Sequence, residues 1–245
     1  VYILNILLAT QGSQGVVAIR ELFSNNIAPD KIHVAVCANG ANGPLSEFIS
    51  YNKMSCSFHK SGGEFTSWLM SQSKSYDVLL SISWKYLFCE QVIEYFDGKA
   101  INFHPGVLPD YRGCFSTPWS IINDEKQVGF AYHYISKNFD EGNILLDETI
   151  EIDSLDTAHS LNYRLFQVGL SRLNDVIRLI GRQGKSQETG GRYYPNSLPF
   201  DGKLDDKWSN RQKNLFMRAM YFPPHETSLN LLDESLENKK DTIDE

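Results

Sequence analysis

Short apolar runs that stop at polar turns, with stretches of helical spacing between them, most constrain what this chain can fold into. Ile3-Leu4-Asn5-Ile6-Leu7-Leu8-Ala9 has the length and bounding turn of a buried strand. Thr10-Gln11-Gly12-Ser13-Gln14-Gly15 follows, and Val16, Val17, Ile19, Leu22 and Phe23 then recur at helical intervals. Ile32–Cys37 predicts a second strand, ended by the Asn39-Gly40-Ala41-Asn42-Gly43-Pro44 loop. Phe65–Ser71 predicts a helix, Asp77–Ser83 a third strand, and Lys99–His104 a fourth that Pro105-Gly106 cuts off. Strands alternating with helices predict an α/β fold, a mostly parallel sheet flanked by helices. Ligands of such sheets bind outside the carboxyl ends of the strands, where Ser83 and His104 both fall.

The second half changes character. Val128–Ser136 alternates in the manner of an added strand, Asp140-Glu141-Gly142-Asn143 reads as a turn, and Ile144–Ile152 as another strand. Thr157–Ile180 predicts one long amphipathic helix, with Leu161, Leu165, Val168, Leu173, Val176, Ile177 and Ile180 three and four residues apart. Gly181–Gly191 reads as a linker. Arg192–Pro199 and Trp208–Phe222 then predict a small C-terminal module, before an acidic, poorly patterned and partly disordered tail from Ser228. The expected division is a catalytic domain over residues 1–181 and a module over residues 182–245.

Composition narrows the function classes. A net charge of −7 and a pI near 5.4 argue against a general nucleic-acid or acidic-membrane binder, which needs basic surface. Cys37, Cys56, Cys89 and Cys114 show no metal-binding spacing and read as thiols of a reducing cytoplasm. The apolar opening is too short for a membrane span and lacks a basic flank and cleavage site. The expectation is a soluble, cytoplasmic protein with no metal.

The most informative stretch is Asn102-Phe103-His104-Pro105-Gly106-Val107-Leu108-Pro109-Asp110-Tyr111-Arg112-Gly113. Two apart on a strand, Asn102 and His104 leave the same face. An amide N–H can hold the charge that develops on a carbonyl oxygen, and an imidazole can move protons near neutral pH. Alone, an N-x-H pair is weak evidence, since it also serves to bond a turn. The Leu108-Pro109-Asp110-Tyr111-Arg112-Gly113 run beside it makes the motif specific.

With those residues together, the chain resembles the 10-formyltetrahydrofolate-dependent formyltransferases, from the first strand to about Ile152. The resemblance implies a Rossmann-like formyltransferase domain. It also implies a third catalytic residue in a D-x-G motif, which Asp140-Glu141-Gly142 matches. The implied catalytic set is Asn102, His104 and Asp140. An amine would attack the formyl carbon of N10-formyltetrahydrofolate, and Asn102 and protonated His104 would stabilise the oxyanion. Asp140 would orient His104 or order a water that moves the proton; His104 and that water both stand as the working base. Ser83, Trp84, Lys85 and Tyr86, with Asp140, are the implied folate-binding residues, the aromatic rings serving as walls for a flat heterocycle. Thr10–Gly15 is neither GxGxxG nor a Walker motif, and reads as a plain strand-to-helix turn that Gln11 joins to the substrate side. His33, His59, His133, His159 and His225 lack partner spacing and read as structural or surface residues.

The acceptor amine separates the branches of this family. Between Ser186 and Glu245 eight basic side chains face eleven acidic ones, which argues against tRNA. The order of Arg192-Tyr193-Tyr194-Pro195, Phe200–Asp205 and Met217–Pro224 resembles the sugar N-formyltransferases. That resemblance implies a dTDP- or UDP-linked amino sugar as acceptor, such as dTDP-4-amino-4,6-dideoxyglucose or its 3-amino isomer. It also implies work in lipopolysaccharide O-antigen synthesis and a homodimer built through the C-terminal module. Tyr194, Tyr221 or Phe222 would stack on the base, Arg218 would reach the diphosphate, and Gln11 and Gly106 complete the expected substrate contacts. Competing readings are a formyltransferase acting on glycinamide ribonucleotide or methionyl-tRNA, a formyltetrahydrofolate hydrolase, and a non-catalytic folate- or nucleotide-binding module.

Overall fold

Main-chain pairing along five parallel strands organises the chain. In the computed structural model, which describes residues 4–38 and 43–223, the first half runs β1 (Ile6–Thr10), α1 (Gly12–Ser24), β2 (Ile32–Cys37), α2 (Pro44–Tyr51), β3 (Ser55–His59), α3 (Gly62–Ser71), β4 (Val78–Ile82), α4 (Glu90–Tyr95) and β5 (Ala100–His104). The second half runs β6 (Arg112–Gly113), α5 (Ser116–Ile122), β7 (Gln127–Tyr134), β8 (Ile144–Glu151), α6 (Ala158–Ser171), α7 (Leu173–Leu179), β9 (Tyr193–Tyr194) and α8 (Asn210–Met220). Ile3, the Asn39–Asn42 part of the expected loop, His225 and the tail from Ser228 lie outside the described residues.

Seven strands form one sheet in the order β3-β2-β1-β4-β5-β7-β8. The strands β1 to β5 pair in parallel, and β7 joins β5 antiparallel with Ile101 opposite Tyr134 and His104 opposite Ala131. This is the expected mostly parallel sheet with a strand added at its side. Every residue of β1, β2 and β4 is buried, which is why those segments are mostly apolar, with Thr10, His33 and Ser81 as the polar exceptions. Helix α1 packs with α2 and α7, and α3 packs with α4. The α3 and α4 layer closes over Leu7, Ala9, Ala35 and Leu79, with Phe65, Leu69, Val92 and Phe96 inserted between.

One strand has no sequence signal, and two expectations change. The strand β3, Ser-Cys-Ser-Phe-His, escapes an apolar pattern because it lies at the sheet edge with four of its five residues exposed or half-exposed. The single helix expected over Thr157–Ile180 is two, with a break at Arg172. There the Gly169 carbonyl accepts from the Tyr132 hydroxyl at 3.0 Å and from the Arg172 N–H at 3.1 Å, so a side chain enters the helical ladder and resets it. The linker expected over Gly181–Gly191 is ordered on β8: Lys185 and Ile144 exchange hydrogen bonds of 2.8 and 2.7 Å.

The chain divides into two compact units. One holds Val1–His104, Phe130–Glu148 and Gln167–Thr189, the other Pro105–Gly129, Thr149–Phe166 and Gly190–Glu245. In the second unit α5 packs on α8, which a Ser209/Gln212 capping box starts, and β6 pairs with β9. Among the described residues no helix is long and apolar enough to cross a membrane, and none of the four cysteines forms a disulfide.

Close packing makes one glycine a sign test. A Cβ on Gly169 would lie 2.4 Å from Phe103 Cε2 and 3.3 Å from Phe130 Cγ. Helix propensity alone would make Gly169→Ala stabilising by about 1 kcal/mol. Overpacking against the two rings reverses this, and equilibrium unfolding of Gly169→Ala is expected to show a loss of about 1–3 kcal/mol.

A second test concerns His33, whose ring lies 3.0 Å from Ser55 Oγ and 2.9 Å from Ser57 Oγ and stacks on Trp68 at 4.7 Å. Burial, then Lys74 and then His59, push its pKa from 6.5 down to about 4. The unfolded chain therefore binds the proton more tightly, so stability present above pH 6.5 is lost as pH falls toward 4. Denaturant unfolding from pH 7 to 4 should show His33 contributing on the order of 3 kcal/mol of this loss, removed in His33→Gln.

Candidate active site

The site grows from the pleat of β5. Asn102 and His104 project from one face, and the register sets Asn102 beside Ser81 of β4 and opposite His133 of β7. The three form a row of polar side chains across three strands. Ser81 Oγ donates to Asn102 Oδ1 at 2.8 Å, and Asn102 Nδ2 lies 3.2 Å from His133 Nε2. The Tyr134 carbonyl, 2.9 Å from His133 Nδ1, can only accept, so that nitrogen carries a hydrogen. His133 Nε2 therefore faces the Asn102 amide on the site side of the ring. Opposite His104, the small Ala131 leaves room for its imidazole.

Asp140 arrives from the loop joining β7 to β8. Its Oδ2 lies 3.4 Å from His104 Nδ1, and its Oδ1 3.3 Å from His133 Nε2. The carboxylate is 10% exposed and the imidazoles 4% and 3%, so the three ionisable groups meet largely away from water. A buried carboxylate needs partners, and two imidazoles supply them. The loop closes this tightly because residue 142 is glycine: a Cβ there would lie 1.7 Å from the Tyr134 carbonyl oxygen. Asp140 itself has a φ of 52°, in the left-handed region.

The structure thus gathers Asn102, His104 and Asp140, and adds His133, set aside in the sequence as structural or surface. The usable signal was strand alternation: His133 lies on the strand facing Asn102, seven residues before Asp140.

The remaining expected residues of this unit follow neighbouring strands. Ser83, just past β4, has a φ of 58°. Trp84 stacks parallel to Phe88 at 5.9 Å and meets Phe65 edge-on at 5.3 Å, so it belongs partly to the core. Its indole Nε1 is buried without a hydrogen-bond partner among the described residues. Lys85 is exposed, its Nζ 5.2 Å from the centroid of the half-buried Tyr86 ring. Gln11 is half-buried at the start of α1, and its side chain does not cap the helix.

Gly106, Tyr194, Arg218 and Tyr221 belong to the second unit. Tyr194 is 8% exposed, stacked on Tyr111 at 5.4 Å and Trp119 at 5.1 Å, with its hydroxyl accepting from Asn123. A ring buried in this way does not serve as a platform for a base, which corrects the expectation for Tyr194. Arg218 donates from Nε to the Asp156 carbonyl at 2.7 Å and from Nη2 to the Asp153 carbonyl at 3.0 Å, so two of its nitrogens brace the chain. Gly106 is buried, and the main chain of half-buried Tyr221 accepts from the His159 N–H at 3.1 Å. None of these four lines an apolar cavity of about 420 Å³ in this unit, whose walls include Phe115, Pro118, Leu198, Met220 and Phe222 with Asn162 among them.

The profile of the formyl transferase family matches residues 6–177. The chain is 40% identical over 150 residues to the GDP-perosamine N-formyltransferases of Brucella melitensis and Brucella abortus, covering 60% of this chain and 58% of each relative. The match therefore spans little more than half the length of those proteins. Among solved structures, the fold is similar to WlaRD, a sugar 3N-formyl transferase determined in the presence of dTDP and 5-N-formyl-THF. There the TM-score is 0.74 at 21% identity, over 91% of this chain and 81% of that one. It is also similar to the N-formyltransferase of Helicobacter canadensis in complex with folinic acid and dTDP-3-aminofucose, with a TM-score of 0.73 at 19% identity over 89% and 81%. With a family profile spanning most of the sheet and both its flanking layers, this chain is a member of the formyl transferase family.

Proposed function

We propose that the protein transfers a formyl group from N10-formyltetrahydrofolate to the amino group of a nucleotide-linked amino sugar. The observation that carries this reading is the convergence of Asn102, His104 and Asp140, buttressed by His133, at the end of β5. Transfer forms a bond between the acceptor nitrogen and the formyl carbon and breaks the bond from that carbon to N10. One proton leaves the amine and one reaches N10, giving a formamide and tetrahydrofolate. Asn102, its carboxamide oxygen already accepting from Ser81, has N–H groups to donate as charge grows on the formyl oxygen. His104, against the carboxylate of Asp140, supplies a second donor and with Asp140 carries the proton.

The Ser83–Tyr86 segment is our candidate for the folate. The fit rests on the orphan Trp84 N–H, since a buried indole donor ordinarily has a partner, and on the half-buried Tyr86 ring. Gln11, Gly106, Tyr221 and Arg218 remain the candidates on the acceptor side. Phe222, which lines the apolar cavity of the second unit, replaces Tyr194 as the base-stacking ring. Likeness to GDP-perosamine N-formyltransferases and the acidic C-terminal stretch support an amino-sugar acceptor over tRNA. The same reading assigns the protein to the cytoplasm, to the supply of formylated sugars for O-antigen, and to a homodimer formed through its C-terminal module.

Purified protein with N10-formyltetrahydrofolate should formylate GDP-perosamine, dTDP-3-aminofucose or dTDP-4-amino-4,6-dideoxyglucose, read by mass spectrometry of the nucleotide sugar. Turnover confined to glycinamide ribonucleotide or methionyl-tRNA would refute the acceptor assignment. In the same assay His104→Ala and Asp140→Asn should each lower kcat/KM by about 10²–10⁴-fold with little change in the unfolding midpoint. Activity near that of the unmodified protein in either variant would remove the residue from the chemistry.

A further inference from the structure

The Asp140 backbone is tied by a side chain from outside its own loop. Aspartate enters the left-handed region more readily than most non-glycine residues, yet the conformation still has a cost that bonds to the backbone can offset, and the φ of Asp140 is 52°. The Gln187 side chain supplies the restraint. Its Nε2 donates to the Asp140 carbonyl at 2.7 Å and to the Gly142 carbonyl at 2.8 Å, so the hydrogens of one amide group tie two peptide planes of the loop. The segment carrying Gln187 is itself fastened to the same region. Asn143 Nδ2 donates to the Gln183 carbonyl at 3.0 Å, the Tyr134 hydroxyl donates to the Arg182 carbonyl at 2.6 Å, and Lys185 pairs with Ile144.

We infer that Gln187 is a positioning residue for the formyl-transfer reaction, holding the Asp140 backbone so that the carboxylate meets His104 and His133 together. This rests on the formyl-transfer reading above. Contacts of 3.4 and 3.3 Å leave little slack: a loop relaxed toward ordinary backbone angles swings the carboxylate off one or both rings. Gln187 acts through Asp140. Two donors on one atom are what the position requires, and glutamine and lysine both provide them.

The test uses the full chain with Gln187→Met, which keeps the length and removes the donors, and Gln187→Lys, which restores donors. Gln187→Met should lower kcat about 100-fold while the KM for the formyl donor moves by less than about 3-fold, and Gln187→Lys should recover most of that kcat. A purely structural role would lower the unfolding midpoint of Gln187→Met but leave kcat intact well below it, and that outcome overturns the inference. Should Gln187→Met fail to fold, Gln187→Asn, which shortens the reach by one carbon, is expected to give the same kcat-selective loss at smaller size, and unchanged kcat there counts against the inference. The ring-nitrogen NMR resonances of His104 and His133 report the carboxylate without turnover. They should shift in Gln187→Met and return in Gln187→Lys; unmoved resonances refute the positioning role even if kcat falls. A wild-type protein that transfers no formyl group would instead refute the functional reading, and the resonances would still decide whether Gln187 positions Asp140.

Discussion

A carboxylate placed where water scarcely reaches must find its partners within the protein, and the carboxyl end of the sheet is arranged around that requirement at Asp140. A carboxylate 10% exposed is acceptable beside His104 and His133 and would be costly beside apolar neighbours. Meeting both rings with separate oxygens gives the carboxylate one orientation. The same contacts keep His104 aimed from the end of its strand, so what steadies the acid also aims the group that handles the proton. The same His133 nitrogen also faces the Asn102 amide, so amide, imidazole and carboxylate meet around one atom.

This arrangement depends on strand register more than on loop sequence. A parallel neighbour, β4, brings Ser81 to one side of Asn102, and an antiparallel neighbour, β7, brings His133 to the other. A one-residue slip of β7 would turn His133 to the opposite face and leave the amide and carboxylate without it. The glycines enforce closeness where it matters. Gly142 lets the loop lie on the Tyr134 carbonyl, and Gly169 lets α6 settle on Phe103 and Phe130, behind the strand that carries the site.

Much of the first half was legible because buried parallel strands are apolar along most of their length: Ile6–Ala9, Ile32–Cys37 and Val78–Ile82 carry only His33 and Ser81 as polar exceptions. The edge strand Ser55–His59 was not, since an edge carries no such demand. The periodicity from Leu161 to Ile180 continues through Arg172 and hides the break, which comes from Tyr132, a residue about 40 positions earlier. Gly181–Gly191 looks like a linker because glycine, arginine and glutamine have no pattern of their own. Its order comes from Ile144, Asn143 and the Asp140 loop. Tyr194 read as a base-stacking ring because composition says nothing about which rings stack inside.

From the amino acids alone came the alternation of strand and helix, the polar exits of the strands, the acidic balance, and the Asn102, His104 and Asp140 motif residues, because each is written in local order and residue type. The tertiary structure decided the company those residues keep: His133 as the bridge between amide and carboxylate, Gln187 as the brace of a left-handed aspartate, Tyr194 as core. The reason is physical. Local propensity acts over a turn or a strand, whereas the partners of a buried charge are chosen by whichever side chains the sheet's register and the returning chain bring within hydrogen-bond reach.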